Sequence, residues 1–209
     1  MATHRNASGV IAKTFFSSHE QKKNIELGKQ ENRNGSLCFP VFLFSKLNCF
    51  LNLFPLSHLA QILIAESSAA AMHSVIKVRA VPGRGLEGDR YFLGVGTFSP
   101  TPPKPDFEIT LIEREKIEAF ARLSGLPFTA EQARRNLVTV GVDLNALVGQ
   151  EFLVGDVRLR GIRLCEPCNY LAKISFPETL KGLVHQGGLR AEILSEGLLR
   201  VGEDIRVTP

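Results

Sequence analysis

The sequence predicts a mainly β fold with an α+β tendency, in which short strands form a barrel or a sandwich and two or three short helices connect them. Three observations predict this class. From residue 58 onward, apolar and polar residues alternate in short runs that are separated by glycine, proline and aspartate. The runs recur about every 8 to 12 residues, which is the strand spacing of sandwiches and barrels. The helical pattern, with apolar residues three and four apart, is confined to a few short segments.

The first 57 residues differ in composition from the rest of the chain. They hold 7 Lys/Arg against 3 Asp/Glu, whereas the later residues hold 18 of each, so the net charge of +4 belongs to this segment. A neutral domain argues against nucleic-acid binding, which needs a basic surface. Seven of the 14 Phe also lie in this segment. We therefore interpret residues 1–57 as an N-terminal extension, disordered or outside the functional domain, and residues 58–209 as the domain.

One apolar run in the extension, residues 37–56, has the length of a membrane helix. Lys46, Asn48 and Asn52 interrupt it, and it lies too far from the N-terminus for a secretory signal peptide. We expect a weak membrane contact of the extension at most. Four Cys in 209 residues do not form the dense disulfide scaffold of a small secreted domain. The sequence therefore predicts a cytoplasmic protein.

The hydrophobic pattern assigns the strands and helices in chain order. Strands are predicted over residues 59–65, 75–81, 107–112, 137–142, 151–154, 157–164, 189–194 and 198–207. Helices are predicted over residues 113–124, 129–132, 169–175 and 175–184. The second and the last of these helices begin with the spacing of a capping box, Thr129 to Gln132 and Ser175 to Glu178.

Three glycines follow the second predicted strand. Gly83, Gly85 and Gly88 spell the G-x-G-x-x-G pattern of dinucleotide-binding proteins, which requires a helix next. The segment that follows carries four prolines and cannot form that helix. Two interpretations remain: a mobile turn, or a glycine-rich loop that presents Arg90, and with it Arg84, to an anion.

A second candidate for an anion contact is the sequence Arg134, Arg135, Asn136. Two adjacent arginines usually belong to a solvated face. Here they directly precede the predicted strand at residues 137–142, so they lie at the mouth of a strand. Guanidinium groups at such a position suit recognition of phosphate or carboxylate.

The candidate reactive group is in the segment Cys165-Glu166-Pro167-Cys168. Arg163 and the start of the following helix both favour a thiolate, and we expect Cys168 to be the reactive residue with Cys165 as its helper. Three alternatives stay open at this point. Structural zinc needs four ligands, of which this motif offers two. A thiol-disulfide redox pair fits the letters C-x-P-C but lacks the surrounding β-α-β unit. Two inert buried cysteines are the third alternative.

Four segments, in this order, resemble the MOSC domain: GLEGDRYF at residues 85–92, RRNLVTVGVDLNALVGQEFLVG at 134–155, RLCEPCNYL at 163–171, and HQGGLRAEIL followed by VGEDI between 185 and 205. This family is named for the C-terminal domain of molybdenum cofactor sulfurase. It also includes small stand-alone bacterial proteins and the mitochondrial amidoxime-reducing component. The resemblance covers residues 58–209 and implies a barrel-like β fold.

The resemblance also assigns roles to individual residues. The cysteine of the family's Pro-Cys step corresponds to Cys168, as a molybdenum ligand or a sulfur carrier, while the role of Cys165 is that of an accessory. The resemblance implies contacts to the pterin and phosphate of molybdenum cofactor (molybdopterin) from the G-x-x-G-D-R motif, from the Arg-Arg-Asn motif and from the segment around residue 190. Their residues are Gly85, Gly88, Asp89, Arg90, Arg134, Arg135, Asn136 and Arg190.

Two functions follow from the resemblance. In the first, the protein is an enzyme that reduces N-hydroxylated compounds with electrons from a separate redox partner, because the chain carries no flavin, haem or iron-sulfur motif. In the second, Cys168 receives a persulfide from a cysteine desulfurase, and pyridoxal phosphate is involved only through that partner. A thiol-disulfide redox protein that uses Cys165 and Cys168 is a further alternative.

Overall fold

Eleven short strands, placed by the alternation of apolar residues, are the main regular elements of the described structure. The computed structural model describes residues 57–207, so the predictions made for residues 1–56, including the apolar run at 37–56, lie outside the described residues. The strands are β1 His58–Ile64, β2 His73–Val75, β3 Lys77–Val81, β4 Gly85–Leu86, β5 Ile109–Glu113, β6 Leu137–Val140, β7 Glu151–Val154, β8 Val157–Leu164, β9 Leu189–Ile193, β10 Gly197–Arg200 and β11 Ile205–Val207.

Eight of these strands form one sheet in the order β11-β7-β8-β9-β5-β6-β1-β2. All neighbours are antiparallel except β5 and β6, which are parallel. The sheet closes on itself near one end: the N–H of Ile205 donates to the carbonyl of Ser57 at 2.8 Å, and that of Leu59 donates to Glu203 at 2.8 Å. Strands β10, β3 and β4 form a second, three-stranded sheet. This architecture confirms the predicted mainly β, barrel-like fold.

Four helices connect or flank the strands in the described residues. They are α1 Arg114–Ser124, α2 Ala130–Ala133, α3 Asn169–Ile174 and α4 Thr179–Gly182, with 3-10 turns at Pro105–Phe107 and Asn145–Leu147. The two parallel strands β5 and β6 are joined through α1 and α2, since a parallel pair requires a crossover. Helix α1 ends at Gly125, whose φ of +70° is the left-handed conformation that ends helices.

The apolar residues form two cores, one on each face of the central strands. In β8 the buried Val157, Leu159 and Gly161 alternate with more exposed arginines, as a half-buried strand requires. Every residue of β5 is buried, because its second face is covered by Ile117 and Phe120 of α1. Burial of each large apolar side chain contributes roughly 1.5 to 3 kcal/mol.

Three predicted elements differ from the structure. The single strand over residues 75–81 is two strands, β2 and β3, which belong to different sheets, and Ile76 between them is exposed. The single closing strand over residues 198–207 is two strands, β10 and β11, because Gly202 turns the chain with a φ of +93°. The capping box predicted from Ser175 to Glu178 does not form. Glu178 itself is the N-cap of the one-turn helix α4, and the Thr179 hydroxyl donates to the Phe176 carbonyl in the turn that precedes it.

Two further predictions are confirmed. The capping box of Thr129 and Gln132 opens α2. The glycine-rich segment after β3 is a turn followed by irregular structure, with no helix at the position that a dinucleotide site requires. Within residues 57–207, no helix is both long enough and apolar enough to cross a bilayer.

Candidate functional site

The two cysteines of the C-x-x-C segment differ in exposure. Cys165 follows the end of β8 and is buried, whereas Cys168 is exposed and is the N-cap residue of α3; both thiols are free. The backbone of Cys165 is held on both sides, because its N–H donates to the Gly188 carbonyl at 2.7 Å and its carbonyl accepts from Arg135 Nη2 at 2.9 Å. The exposed thiol is therefore carried on a fixed segment of backbone.

Two glycines allow this close packing around Cys165. A Cβ on Gly187 would collide with the Cys165 carbonyl oxygen, and one on Gly188 would collide with the Leu111 carbonyl oxygen of β5. Gly188 also has a φ of +94°, which disfavours any side chain. The glycine pair that ends the α4 segment thus lets the chain pass against both the cysteine segment and the central sheet.

Four arginines line one cleft with Cys168: Arg90, Arg134, Arg135 and Arg190. The sequence separates them by as much as 100 residues, and the sheet order places β5, β6, β8 and β9 close enough for their ends to share this cleft. We call it the arginine cleft. One acidic residue, Glu166, also lines it, so four guanidinium groups face a single carboxylate.

Arg135 is a buried arginine that stabilises the rim of the cleft. It donates to the backbone carbonyls of Gly187 at 2.8 Å, Ala133 at 3.0 Å and Cys165 at 2.9 Å. These bonds use three of the five N–H groups of its guanidinium, which leaves two for a ligand in the cleft. Arg135 therefore positions the cysteine segment as well as contributing charge.

Arg134 lies beside it in a strained conformation. Its φ of +58° is left-handed, and its guanidinium donates to the carbonyls of Ala70 and Ser68, each at 2.9 Å. Burial, and then the neighbouring charge of Arg90, lower the pKa of the Arg134 side chain. Only His185 shares a left-handed φ among the non-glycine residues of the described range. Such strain, about 1 kcal/mol or more per residue, is concentrated at functional sites.

Asp89 and Arg90 form a buried ion pair at 3.1 Å between Asp89 Oδ1 and Arg90 Nη1. The carboxylate also accepts from the backbone N–H groups of Ala65 and Tyr91, both at 3.1 Å. Arg90 is 6% exposed and still reaches the cleft. The pair ties the end of β1 to the glycine-rich segment, so the anionic partner of Arg90 is already present in the fold.

Asn136 is buried, and the fold uses its whole amide group. Its Oδ1 accepts from the N–H and hydroxyl of Thr110, and its Nδ2 donates to the Leu63 carbonyl and to Asp89. An amide has two acceptor sites and two N–H donors, and all four are engaged. The structure therefore places Asn136 behind the cleft, as the residue that joins β1, β5 and β6.

Arg190 is the arginine of the cleft that the fold engages least. It donates once, to the Asp106 carbonyl at 3.1 Å, and its guanidinium lies 4.6 Å from the centre of the Phe107 ring. Arg163, on the neighbouring strand, binds the Asp106 carboxylate instead of the cysteine segment. The charge of Arg163, which was expected to favour a thiolate at Cys168, is therefore paired with Asp106 instead.

The glycines of the predicted anion loop have structural roles in this geometry. Gly85 lies in β4 with a φ of +107°, where a Cβ would meet the Glu108 carbonyl oxygen at 2.7 Å. Gly88 has a φ of +83° with ordinary space around it. Neither glycine is among the residues that line the arginine cleft. They place Asp89 and Arg90, which follow directly.

Sequence reasoning did not single out the pair formed by Glu166 and His185 as functional. One carboxylate oxygen of Glu166 accepts from the His185 backbone N–H at 2.9 Å, and the other lies 2.7 Å from His185 Nδ1. Although partial burial opposes it, the two hydrogen bonds from His185 lower the pKa of Glu166. The position of Glu166 between the two cysteines was the available signal. The pairing itself depends on the strained loop at His185.

Two tyrosines also line the cleft without having been predicted. Tyr170 donates through its hydroxyl to the Ser68 carbonyl at 2.8 Å, and its ring lies 5.8 Å from that of Phe98. Tyr91 lies against Phe107, and burial raises the pKa of its phenol. These rings give the cleft flat apolar surfaces beside its charges.

Within the described part of the chain, no group of three or more His, Cys, Asp and Glu side chains could hold a metal ion. The zinc alternative would also draw on Cys38 and Cys49, which lie outside the described residues. A metal in the arginine cleft would therefore take part of its ligand set from a bound group.

With this geometry established, comparison with known proteins assigns the family. The profile of the MOSC domain matches residues 96–206, more than half of the chain. The chain belongs to the MOSC domain family. The matched range contains the MOSC residues from β5 to β11, and β1 pairs with β6 in the same sheet. No curated protein matches the chain significantly.

Solved structures of other proteins share the MOSC fold of this chain. The YuaD protein from Bacillus subtilis is similar with a TM-score of 0.62 and 18% identity, over 73% of this chain and 96% of that one. YiiM from Geobacillus stearothermophilus gives 0.57 and 17%, over 73% and 75%. YiiM from Escherichia coli gives 0.55 and 18%, over 74% and 71%. At these identities the similarity shows the fold alone.

Proposed function

We propose that this MOSC protein binds molybdenum cofactor in the arginine cleft, with the Cys168 thiolate as the metal ligand that the chain provides. One observation carries the proposal: an exposed, free thiol shares a cleft with four guanidinium groups and one carboxylate. A pterin that ends in a phosphate is planar and anionic. Arginine forks suit both its hydrogen-bonding edge and its phosphate.

The donors of the cleft fit such a ligand. Arg135 keeps two N–H groups and Arg134 keeps three beyond those that the fold uses, while Arg190 keeps four. Arg90 is neutralised by Asp89 and contributes less net charge than the other three. The binding role is therefore assigned to Arg134 and Arg190, whereas Arg135, which gives three of its donors to backbone carbonyls, mainly positions the cysteine segment. Asp89, Asn136, Gly85 and Gly88 are assigned to positioning.

The metal chemistry also fits the residues that are present. A soft thiolate is a suitable ligand for a metal that sulfur already coordinates. When bound, the cofactor supplies two-electron redox chemistry. Cys168 Sγ would hold the metal, and the held backbone of Cys165 would fix the direction from which the thiolate approaches.

The reaction that we propose is the reduction of an N-hydroxylated compound. The bond between nitrogen and the hydroxyl oxygen breaks, and two electrons and two protons are consumed. One proton ends on the nitrogen as N–H, and the other leaves with the hydroxyl group as one molecule of water. The electrons require a separate redox partner, because no flavin, haem or iron-sulfur motif occurs in this sequence. Glu166 Oε1 and His185 Nδ1 lie 2.7 Å apart, with Glu166 at the edge of the cleft, in a position to serve the uptake of the two protons.

Metal analysis of the full-length chain tests this function. Protein purified from cells supplied with molybdate should contain about one molybdenum per chain, together with a pterin detected by fluorescence after oxidation. Cys168→Ser should lose the molybdenum, whereas Cys165→Ala, a buried control three residues away, should retain it. Molybdenum-free parent protein, or equal molybdenum in parent and Cys168→Ser, would contradict the proposal.

A sulfur-carrier function is the second candidate, favoured by the exposure and free state of Cys168. The terminal sulfur of a desulfurase persulfide would be attacked by the Cys168 thiolate. The bond between that sulfur and the donor cysteine would break, leaving a persulfide on Cys168 and a thiolate on the donor. Pyridoxal phosphate would act only in the desulfurase. Cyanide-labile sulfur on metal-free parent protein, absent from Cys168→Ser, would establish this function.

The arrangement of the two cysteines does not favour a thiol-disulfide redox function. That chemistry uses a helix that follows the first cysteine, but α3 begins only after Cys168. Cys165, which would be that first cysteine, is 1% exposed. We therefore assign Cys168 as the reactive thiol and Cys165 as a structural thiol.

A further inference from the structure

A second pocket adjoins the arginine cleft and is not used by the proposed cofactor site. Tyr91 lines both spaces. Two more aromatic residues, Phe92 and Phe107, line the second pocket, together with Pro100 and Pro103. We call it the aromatic pocket. Its rings and prolines offer flat apolar surfaces on which a planar group can stack.

The size of the aromatic pocket limits what it can hold. Its volume is about 140 Å³. An apolar protein cavity of about 150 Å³ accommodates one benzene molecule. A single six-membered ring therefore fits, whereas a fused ring system with its substituents would extend beyond the pocket.

Two cations give the pocket a preference for an anionic ligand. Arg84 and Lys104 line it, and neither forms an ion pair with another described residue. The Arg84 guanidinium lies 4.0 Å from the centre of the Phe92 ring, which holds it beside an aromatic surface. One acidic residue, Glu108, also lines the pocket. Its carboxylate accepts hydrogen bonds from the backbone N–H groups of Ile193 and Gly83. The cations therefore exceed the carboxylates by one.

A polar group of the pocket also lacks a partner. The Ser99 hydroxyl oxygen is buried and has no hydrogen-bond partner within residues 57–207, although Ser99 lines the pocket. Buried polar groups without partners are rare in folded proteins. A ligand that can accept a hydrogen bond from this hydroxyl would satisfy it.

We propose that the aromatic pocket binds a single-ring aromatic carboxylate, with the ring against the aromatic side chains and the carboxylate toward Arg84 and Lys104. This binding needs neither metal nor cofactor. We also propose that the bound ring is part of the substrate. This role rests on the proposed function, because it depends on chemistry at Cys168, which lines the adjoining arginine cleft.

Binding of benzoate to the full-length chain, followed by ligand-observed NMR or calorimetry, tests the proposal. A ligand of this size should bind with a Kd on the order of 1 mM. Benzamide has the same ring without the charge, and cyclohexanecarboxylate has the charge without planarity; each should bind about tenfold more weakly. Equal binding of either analogue, or no saturable binding of benzoate, would overturn the proposal.

Matched variants locate the site. Arg84→Gln and Lys104→Gln should each weaken benzoate binding about tenfold. Lys181→Gln, an exposed lysine on α4 outside the pocket, should leave it unchanged. Equal affinities of all three variants would overturn the assignment. The two proposals can fail separately, because benzoate binding needs no metal. If the protein binds benzoate but acquires no molybdenum in cells supplied with molybdate, this site is supported and the cofactor proposal is contradicted. If the protein acquires molybdenum but does not bind benzoate, the reverse holds.

Discussion

The two sides of the arginine cleft use the same residue type in different ways. On one side, Arg135 and the buried pair of Asp89 and Arg90 spend their hydrogen bonds on the fold. On the other side, Cys168 is exposed, and Arg190 makes a single hydrogen bond. Under the proposed function, the first side sets the shape of the cleft and the second meets the ligand. Substitutions on the two sides should therefore separate stability from binding.

The largest expected loss of stability is that of Asp89→Asn. This change removes the carboxylate that neutralises Arg90, and an uncompensated buried charge destabilises by about 3 to 5 kcal/mol. Urea unfolding measures the change. Glu196→Gln is the control, because it breaks the exposed ion pair with Arg79 and should leave the urea midpoint nearly unchanged. Similar losses in the two variants would mean that the buried pair does not maintain the cleft.

Arg135→Met should have the next largest effect. The methionine keeps most of the apolar stem but leaves three backbone carbonyls without their donor, which costs roughly 2 to 3 kcal/mol in total. Arg158→Met, on the exposed face of β8, should change the free energy of unfolding by about 0.5 kcal/mol at most. A stable Arg135→Met protein with reduced molybdenum would instead place Arg135 on the ligand side of the comparison.

Glu113→Gln probes a buried carboxylate outside the cleft that, unlike Asp89, forms no ion pair with a described residue. One of its oxygens accepts from Leu144 N–H, the other is buried without a partner in the described range, and burial raises the pKa of this carboxyl. The folded state therefore binds a proton more tightly than the unfolded state. Its stabilising contribution is complete below the ordinary carboxyl pKa and is lost as pH rises through the raised value.

Thermal unfolding between about pH 4 and pH 8 should show this dependence. Glu113→Gln should match the parent at the acidic end and exceed its Tm at neutral pH, by an amount equivalent to about 1 kcal/mol. Glu118→Gln, an exposed position on α1, should follow the parent throughout. If Glu113→Gln also follows the parent at every pH, burial does not disfavour the charge of this carboxylate.

The smallest effect on stability is expected for Arg190→Ala. Losing one hydrogen bond and a contact with Phe107 should lower the free energy of unfolding by about 1 kcal/mol. Molybdenum content should nevertheless fall several-fold, because most donors of this side chain are available to a ligand. Unchanged molybdenum in this variant would remove Arg190 from the binding side.

Much of the fold could be predicted from the sequence, since alternation along β8 and the helical period of α1 are local properties. The position of Cys168 at the start of a helix was predicted on similar grounds. The direction of Asn136 could not be predicted, because an amide beside two arginines has the same local pattern whether it faces solvent or joins three strands. The same is true of Arg135, whose carbonyl partners come from segments far along the chain. The pairing of Glu166 with His185 depends on a left-handed residue that the sequence does not mark.

Strand β1 runs from the C-terminal strand of the fold to the residues beneath the arginine cleft. Its first residues bond to the segment around Ile205, near the last described residue, while Ala65, just beyond its other end, contacts Asp89 beneath the cleft. Seven residues of strand span roughly 20 Å. A protein fused ahead of residue 57 would be attached near the C-terminal strand and at the far end of β1 from the thiol. Ser57 and Ile205, which are joined by a backbone hydrogen bond of 2.8 Å, lie near the two ends of the described range. A short peptide could connect these ends, which makes residues 57–207 a natural candidate for circular permutation.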